Sequence, residues 1–281
     1  MPELPEVEVA RRNLARWSAG RSVVELMLPD PEVVRRGLST APRDADPEGP
    51  ARIGGAVGAC GPLHRHGKRL GWRLGEVGLL VHFGMTGRWV RRLGGPLPDA
   101  ARLGLVLDDG ATLWFCDARR FGCVAVVDLG LEGLGEGLGP DALDHPWTGP
   151  ELRAALAGRT PIKPALLEQQ RIAGLGNIHA AEALFRAQID PWLPCGQLDP
   201  AAADRLVVAF RAQLEEALVE FDAEEVTYLS DGARDNPFLV YGREGLPCVV
   251  CAAPIQRAPQ AGRSTWWCPS CQRRDGGADL R

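Results

Sequence analysis

A chain of 281 residues can build one large domain or two modest ones, and two are expected. Hydrophobic residues at 45% and charged residues at 24% suit a globular protein, and no apolar run is long enough to span a bilayer, which excludes a membrane protein. The net charge of −4 argues against a nucleic-acid partner, so any such claim must rest on local clusters of Lys and Arg.

The opening MPELPEVE carries acids where a signal peptide needs basic residues and an apolar core, so the expected compartment is the cytoplasm. Residues 2–18 read as a helix: Pro2 suits the first turn, Glu3, Glu6 and Glu8 favour its positive end, and Arg11, Arg12 and Arg16 the other. Val7, Ala10, Leu14 and Trp17 form one apolar stripe and Gly20 is a stop. From Val23 to Leu129 short apolar runs (RLGWRL, GLLVHF, RLGLVL, ATLWF, CVAVVDL) read as antiparallel strands. Asp109-Gly110 marks a hairpin, and repeated hairpins predict a sandwich or barrel. Leu129 to Pro140, with five glycines, reads as a linker. Thr148 to Ala157, Pro164 to Gln170, Asn177 to Gln188 and Asp199 to Phe221 then show helical spacing. The last has Asp199 as N-cap, Pro200 at its first position, and Leu206, Phe210, Leu214 and Leu218 in one row. Val240 to Arg281 is too rich in cysteine and turns to be another helix.

Three features carry chemistry, each beside a plainer reading. Cys248, Cys251, Cys268 and Cys271 have the spacing C-x2-C-x16-C-x2-C, which brings four thiolates around one zinc; the alternative is two disulfides or unrelated thiols. Arg257, Arg263 and Ser264 in the spacer can reach phosphates, whereas Cys60, Cys116, Cys123 and Cys195 read as plain buried thiols. Gly174 and Gly176, just before Asn177, let backbone amides approach a phosphate at a helix start, or simply join two packed helices. With Met1 removed, Pro2 is a secondary amine able to attack a sugar C1′ and leave an iminium, with Glu3 close by as acid/base. Pro-Glu is also ordinary helix-start chemistry.

In order and across nearly the whole chain, MPELPEVE, HFGMTG, DARRFG, GLGNIHAAEAL and VYGREG followed by the four cysteines resemble the formamidopyrimidine-DNA glycosylase and endonuclease VIII family, and its formamidopyrimidine branch most. The resemblance implies an α+β fold: a catalytic N-terminal β-sandwich with flanking helices over 1–130, a linker over 131–147, a DNA-binding helix-two-turn-helix domain over 148–239 and a zinc-finger hairpin over 240–281, with DNA held between the halves. It implies a monomeric bifunctional glycosylase and lyase that excises oxidised or ring-opened purines from duplex DNA and cuts the strand by β,δ-elimination, with one structural zinc. Carried over, Pro2 is the nucleophile, Glu3 the acid/base and Glu6 a lesion-pocket residue. Lys68 resembles a phosphate-binding hairpin lysine, although alone it reads as a strand-end cation. Asn177 and Arg263 resemble the residues on the flanking phosphates. Met85, Arg119 and Phe121 resemble the trio that fills the gap left by the extruded base, with Arg119 facing the orphaned one; otherwise Met85 and Phe121 read as core.

The chain departs from the family pattern at His179 (usually Tyr), at Ala118 (usually Pro) and at Glu224-Glu225 (commonly a Gly pair). Ser230 to Val240 is short for a lesion-capping loop, which touches base preference rather than the chemistry. Competing readings are an endonuclease VIII-like enzyme for oxidised pyrimidines, a non-catalytic damaged-DNA binding protein, and a zinc-ribbon protein without a DNA role.

Overall fold

The computed structural model describes residues 2–38, 44–220 and 236–273. Glu224, Glu225 and the stretch 230–235 lie outside them. The chain divides into two compact units, Met1–Gly137 with Leu218–Tyr228, and Leu138–Ala217 with Leu229–Arg281.

The first unit opens with helix α1, Leu4–Ser18. It starts two residues later than the sequence pattern suggests, because Glu3 is its N-cap: the Glu6 carboxylate reaches back to the Glu3 N–H at 2.9 Å, a capping box that leaves Pro2 outside the helix. Val7, Ala10 and Leu14 enter the core and Trp17 packs against its edge, so the expected stripe is the buried one.

Eight strands follow: β1 (Ser22–Met27), β2 (Gly58–His66), β3 (Arg69–Leu74), β4 (Val77–His82), β5 (Arg88–Leu93), β6 (Ala101–Leu107), β7 (Ala111–Cys116) and β8 (Cys123–Val127). A short helix α2 (Gly49–Arg52) precedes β2. The strands run in the order β5-β7-β6-β1-β2-β3-β4-β8, every pairing antiparallel. Between β1 and β2 only Ser22↔Ala59 and Val23↔Gly58 pair, so the sheet bends there into two halves of four strands. Trp72 of β3 meets Trp89 of β5 edge-on at 6.1 Å although their strands are not neighbours; the halves therefore face each other as a sandwich. The expected β6–β7 hairpin is present with a three-residue loop. Gly110 takes φ +79 and donates to Leu107 O at 3.0 Å, while Asp109 Oδ1 accepts the Ala111 N–H at 3.0 Å. The glycine-rich segment after β8 is tied to the sheet: Leu131 packs on Leu80 and Ala125, and the Arg69 guanidinium reaches the carbonyls of Gly133, Leu134 and Glu136.

The second unit holds α3 (Gly149–Ala155), α4 (Ile162–Leu167), α5 (Asn177–Arg186) and, up to Ala217, α6 (Pro200–Glu220). Thr148 caps α3, and Asp199 caps α6 by accepting the Ala202 N–H at 2.8 Å. Pro164 lies inside the first turn of α4, where its missing N–H has no helical partner to lose. Strands β9 (Gln256–Gln260) and β10 (Arg263–Trp267) form a hairpin closed by Ala261 and Gly262, both at positive φ (+48 and +75), the pattern of a type I′ turn. Val240, Cys248, Ile255, Trp266 and Cys268 pack on Ala181 and Phe185 of α5, and buried Glu182 accepts the N–H groups of Leu239, Val240 and Tyr241 at 2.8–2.9 Å. No helix among the described residues is long and apolar enough to cross a membrane.

Candidate active site and nucleic-acid interface

Pro2 stands just before the capped start of α1, and Glu3 beside it is 1% exposed. Glu6 uses one carboxylate oxygen on the Glu3 N–H, so the backbone that carries Pro2 and Glu3 is fixed by the helix itself. One turn further, Glu8 accepts from Arg11, Arg12 and Arg65 at 2.8–3.3 Å. Burial alone would raise its pKa, but the hydrogen bonds and charges of these arginines outweigh burial and hold it below the ordinary value. Arg65, itself buried, also donates to Gly67 O at 3.1 Å. Gly67 and Lys68 form the two-residue link between β2 and β3, with Gly67 at φ +56 in the first central position of the turn. Lys68 is thus mounted on a turn tied through Arg65 and Glu8 to the helix whose start carries Pro2 and Glu3.

His82, at the end of β4, pairs with Arg69 across the sheet. Burial first, then the charges of Arg69, Lys68 and Arg35, push its pKa down to about 4, so the imidazole is neutral near pH 7. Its Nδ1 accepts the Gly84 N–H at 3.0 Å, which places the ring proton on Nε2.

Two loops of the first unit meet beyond His82. A Cβ on Gly84 (φ +60) would overlap the backbone of Phe121 and Gly122, so only glycine lets HFGMTG approach DARRFG this closely. Asp117, 1% exposed, organises the second loop: its carboxylate accepts from Thr86 Oγ1, from the Arg119 N–H at 3.2 Å and from the Gly122 N–H at 2.6 Å. Arg119 and Phe121 are left exposed, with the Arg119 guanidinium 5.2 Å from the Phe121 ring centre, and Met85 is half-buried next to Thr86. An exposed aromatic ring held over an arginine on a pinned loop can enter a base stack; a core residue cannot.

In the second unit Gly174 takes φ +112, and Gln169 pins the turn by accepting its N–H at 2.9 Å and donating to Leu175 O at 2.8 Å. Asn177 opens α5, and its side chain meets the zinc-finger hairpin through Nδ2 to Ser264 O at 3.1 Å. Lys163 of α4, 1% exposed, donates to Asn177 Oδ1 (2.6 Å), Thr265 Oγ1 (2.8 Å) and Ser264 O (2.9 Å). Arg263, the neighbour of Ser264, is exposed at the hairpin tip. The fold thereby brings Asn177 and the Ser264–Thr265 segment, which follows Arg263 in the hairpin, together around one buried ammonium. Arg257 is instead engaged within the hairpin region, 5.5 Å from the Trp266 ring centre and bonded to Ser264 Oγ and Glu244. His179 faces inward, buried, 3.5 Å from Gln213 of α6.

The four spaced cysteines converge, with all sulfurs within 4.8 Å of one another. Cys248 and Cys271 lie 3.9 Å apart and Cys251 and Cys268 3.4 Å apart, far longer than a disulfide. Four sulfurs around a tetrahedral zinc at about 2.3 Å would stand roughly 3.8 Å apart, so the set fits one structural zinc ion. The Ala253 N–H and then the neighbouring thiols pull Cys251 down to about 7, whereas burial pushes Cys268 and Cys271 up, so a bound metal displaces protons here. Burial also raises Cys60 and Cys123 to about 11 and raises Cys195, consistent with unreactive thiols.

Residues 1–124 match the formamidopyrimidine-DNA glycosylase N-terminal domain, 138–229 its H2TH domain, and 245–274 the zinc finger found in FPG and IleRS. The chain belongs to the formamidopyrimidine-DNA glycosylase family. The formamidopyrimidine-DNA glycosylase of Acidiphilium cryptum is 38% identical over 97% of this chain and 100% of its own. Two structures of the Lactococcus lactis family member cover 97% of this chain and 100% of that one. One contains DNA with N7-benzyl-Fapy-dG (TM-score 0.82, 29% identity), the other DNA with an oxidised pyrimidine (TM-score 0.80, 30% identity).

Besides Arg65, sequence reasoning missed four residues of this family member that the structure places in or behind the groups above. His82 and Asp117 stand inside the two quoted motifs, and an Asp opening a turn before Arg-Arg-Phe-Gly was a usable signal for loop-pinning hydrogen bonds. Lys163 and Glu182 carried no local signal: apart from Asn177, 14 residues beyond Lys163, their partners lie 57 to 102 residues away in sequence.

Proposed function

We propose that this chain removes oxidised or ring-opened purines from duplex DNA and then cuts the strand, as a bifunctional glycosylase of base excision repair. The observation that carries the reading is Pro2 standing immediately before the capped start of α1 with buried Glu3 beside it. Removal of Met1 makes Pro2 a secondary amine; a generic α-amino group titrates at about 7.7–8.0, so a useful fraction is neutral at physiological pH. The lone pair attacks C1′, the C1′–base bond breaks, and the base leaves with that electron pair and a proton. Opening of the sugar ring breaks C1′–O4′, O4′ takes a proton, and the C1′–N bond becomes an iminium. Glu3 handles these protons. The iminium draws electrons from the C2′–H bond, the 3′ phosphate leaves, a second elimination expels the 5′ phosphate, and water frees the amine.

The remaining residues hold the substrate in place. Lys68, Asn177 and Arg263 bind phosphates around the lesion, and Glu6 shapes the lesion side of the N-terminus. Met85, Arg119 and Phe121 fill the gap left by the extruded base, with Arg119 donating to the acceptors of an opposite cytosine. The protein acts as a monomer in the cytoplasm. One observation favours a second reading, release of oxidised pyrimidines: the Lactococcus lactis relative also holds DNA carrying such a base.

Borohydride trapping on a lesion duplex tests the chemistry, since only an imine-forming enzyme becomes covalently linked. Pro2→Gly should excise far more slowly and trap poorly, and Glu3→Gln should bind lesion DNA yet excise poorly; undiminished trapping by Pro2→Gly would remove the mechanism. Single-turnover excision from duplexes carrying 8-oxoguanine, formamidopyrimidine-guanine or dihydrouracil decides between the lesion classes. Fast dihydrouracil release with negligible purine release would select the second reading.

A further inference from the structure

The loop that carries Arg119 and Phe121 is tied at both ends by Asp117, but its middle residue is held from another part of the first unit. Arg120 stands between the two wedge residues at φ +58, a left-handed backbone that L residues adopt only against steric resistance. Its guanidinium lies 2.8 Å from Asp30 Oδ1 and 3.0 Å from Glu32 Oε2, and its carbonyl accepts from buried Arg35 at 2.9 Å. The other Asp30 oxygen takes Arg102 at 3.0 Å, and Arg102 in turn donates to Asp117 O at 2.9 Å. Asp30 is thus shared by two arginines, one on the sheet and one at the crown of the loop. Its side chain is only 12% exposed and that of Arg102 15%, so this pair is weakly screened, while Arg120 keeps about half of its side chain in solvent. A cavity of about 260 Å³ is lined by these acids together with Arg119, Arg120 and Phe121.

We infer that Asp30 and Glu32 are positioning residues for the wedge: by clamping Arg120 they set the direction in which Arg119 and Phe121 project, and with it how strictly the base opposite the lesion is read. The inference rests on the reading of Arg119 and Phe121 as the gap-filling residues. A flat guanidinium discriminates one base from another only while its donors stay within a few tenths of an ångström and about 10–20° of the acceptors. With both carboxylates in place, the crown of the loop cannot roll about Arg120. With them neutralised, Arg119 can follow the edge of a wrong base. Neither acid lies among the groups assigned to chemistry at C1′, so cleavage of a site that needs no base reading should not depend on them.

The test is single-turnover excision of 8-oxoguanine opposite cytosine and opposite adenine, with nicking of a pre-formed abasic site as the reference. In the double variant Asp30→Asn/Glu32→Gln the preference for cytosine should fall about tenfold, the size of one good bidentate contact, while abasic-site nicking stays within about twofold. Glu32→Gln alone, at a largely exposed position that cannot unfold the protein, should lose about two- to threefold of that preference. In an Arg120→Ala background Glu32→Gln should have no further effect, because Glu32 acts through Arg120. Arg119→Ala separates the layers. If it leaves the preference intact, the wedge reading fails and takes this inference with it. If it lowers the preference while the double variant does not, the inference alone is overturned. A fall in abasic-site nicking parallel to the loss of preference, or a further loss on top of Arg120→Ala, overturns it as well.

Discussion

Replacing Lys163 by methionine should lower stability and DNA affinity together, in amounts the structure sets. Its Nζ donates to Asn177 Oδ1 at 2.6 Å, Thr265 Oγ1 at 2.8 Å and Ser264 O at 2.9 Å, and the side chain is 1% exposed. The three acceptors do not suffer equally. Ser264 O keeps the Asn177 Nδ2 donor, but Asn177 Oδ1 and the buried Thr265 Oγ1, which itself donates to Gln260 Oε1, each lose the ammonium as donor. Bonds to a charged donor contribute about 1.5–3 kcal/mol each, and a buried acceptor left alone costs about 1–3 kcal/mol. Methionine fills nearly the same volume and removes the desolvation penalty of the ammonium, which offsets part of this. A net loss of about 2–4 kcal/mol follows, read as a shift of the urea midpoint at unchanged slope.

The affinity loss has a separate cause. While Lys163 holds Asn177 Oδ1, the nitrogen end of that amide is the end left to donate, and a phosphate accepts only donors. Without the ammonium the amide can turn, and binding to an abasic-analogue duplex should weaken about tenfold. Lys163 does not itself meet the phosphate, so the dependence of binding on salt should keep its slope. A Lys163→Met protein that melts within about 0.5 kcal/mol of the parent and binds DNA equally would refute the argument.

Arg263→Ala and Lys68→Ala should each weaken duplex binding and, unlike Lys163→Met, flatten the salt slope by about one unit, as fits loss of one phosphate contact; an unchanged slope in a titration from low to high salt would place that side chain away from DNA. Chelation, or Cys268→Ser, should release one zinc per chain and abolish duplex binding while the first unit keeps its tryptophan signal; elemental analysis with a binding titration checks both. His82, held at about 4 against an ordinary 6.5, is protonated more readily in the unfolded chain. Stability should therefore fall as pH drops from about 6.5 towards 4, by at most about 3 kcal/mol, and His82→Gln should flatten that part of the urea-midpoint profile. Glu8 acts with the same sign further down: its depressed pKa supports the fold above the unfolded carboxylate value, and that support disappears as pH falls through the folded one.

The zinc ligands were legible because their geometry is local: each C-x2-C pair sits on a tight turn, and a two-residue hairpin turn at Ala261-Gly262 brings the two pairs together. The strands and most helices were legible for the same reason, as at Asp109-Gly110 and at the Asp199 cap, where the decisive hydrogen bonds span three residues or fewer. The start of α1 shows where local rules compete. Pro2 is good first-turn chemistry, but the Glu3–Glu6 capping box is stronger, and it moves the helix start past Pro2. That displacement matters for chemistry, since an amine folded into a helical turn would be less free to meet a sugar. What the sequence concealed was the support behind the exposed groups. Lys163 behind Asn177, Asp117 behind Arg119, Arg65 behind Lys68 and Glu182 behind the hairpin are buried polar residues, and polarity in sequence reads as surface. Each can be buried only because several partners satisfy it at once, and most of those partners come from distant elements. A candidate site on such supports is therefore stiffer than its exposed residues suggest, and substitutions beneath it should act on binding and selectivity without touching DNA.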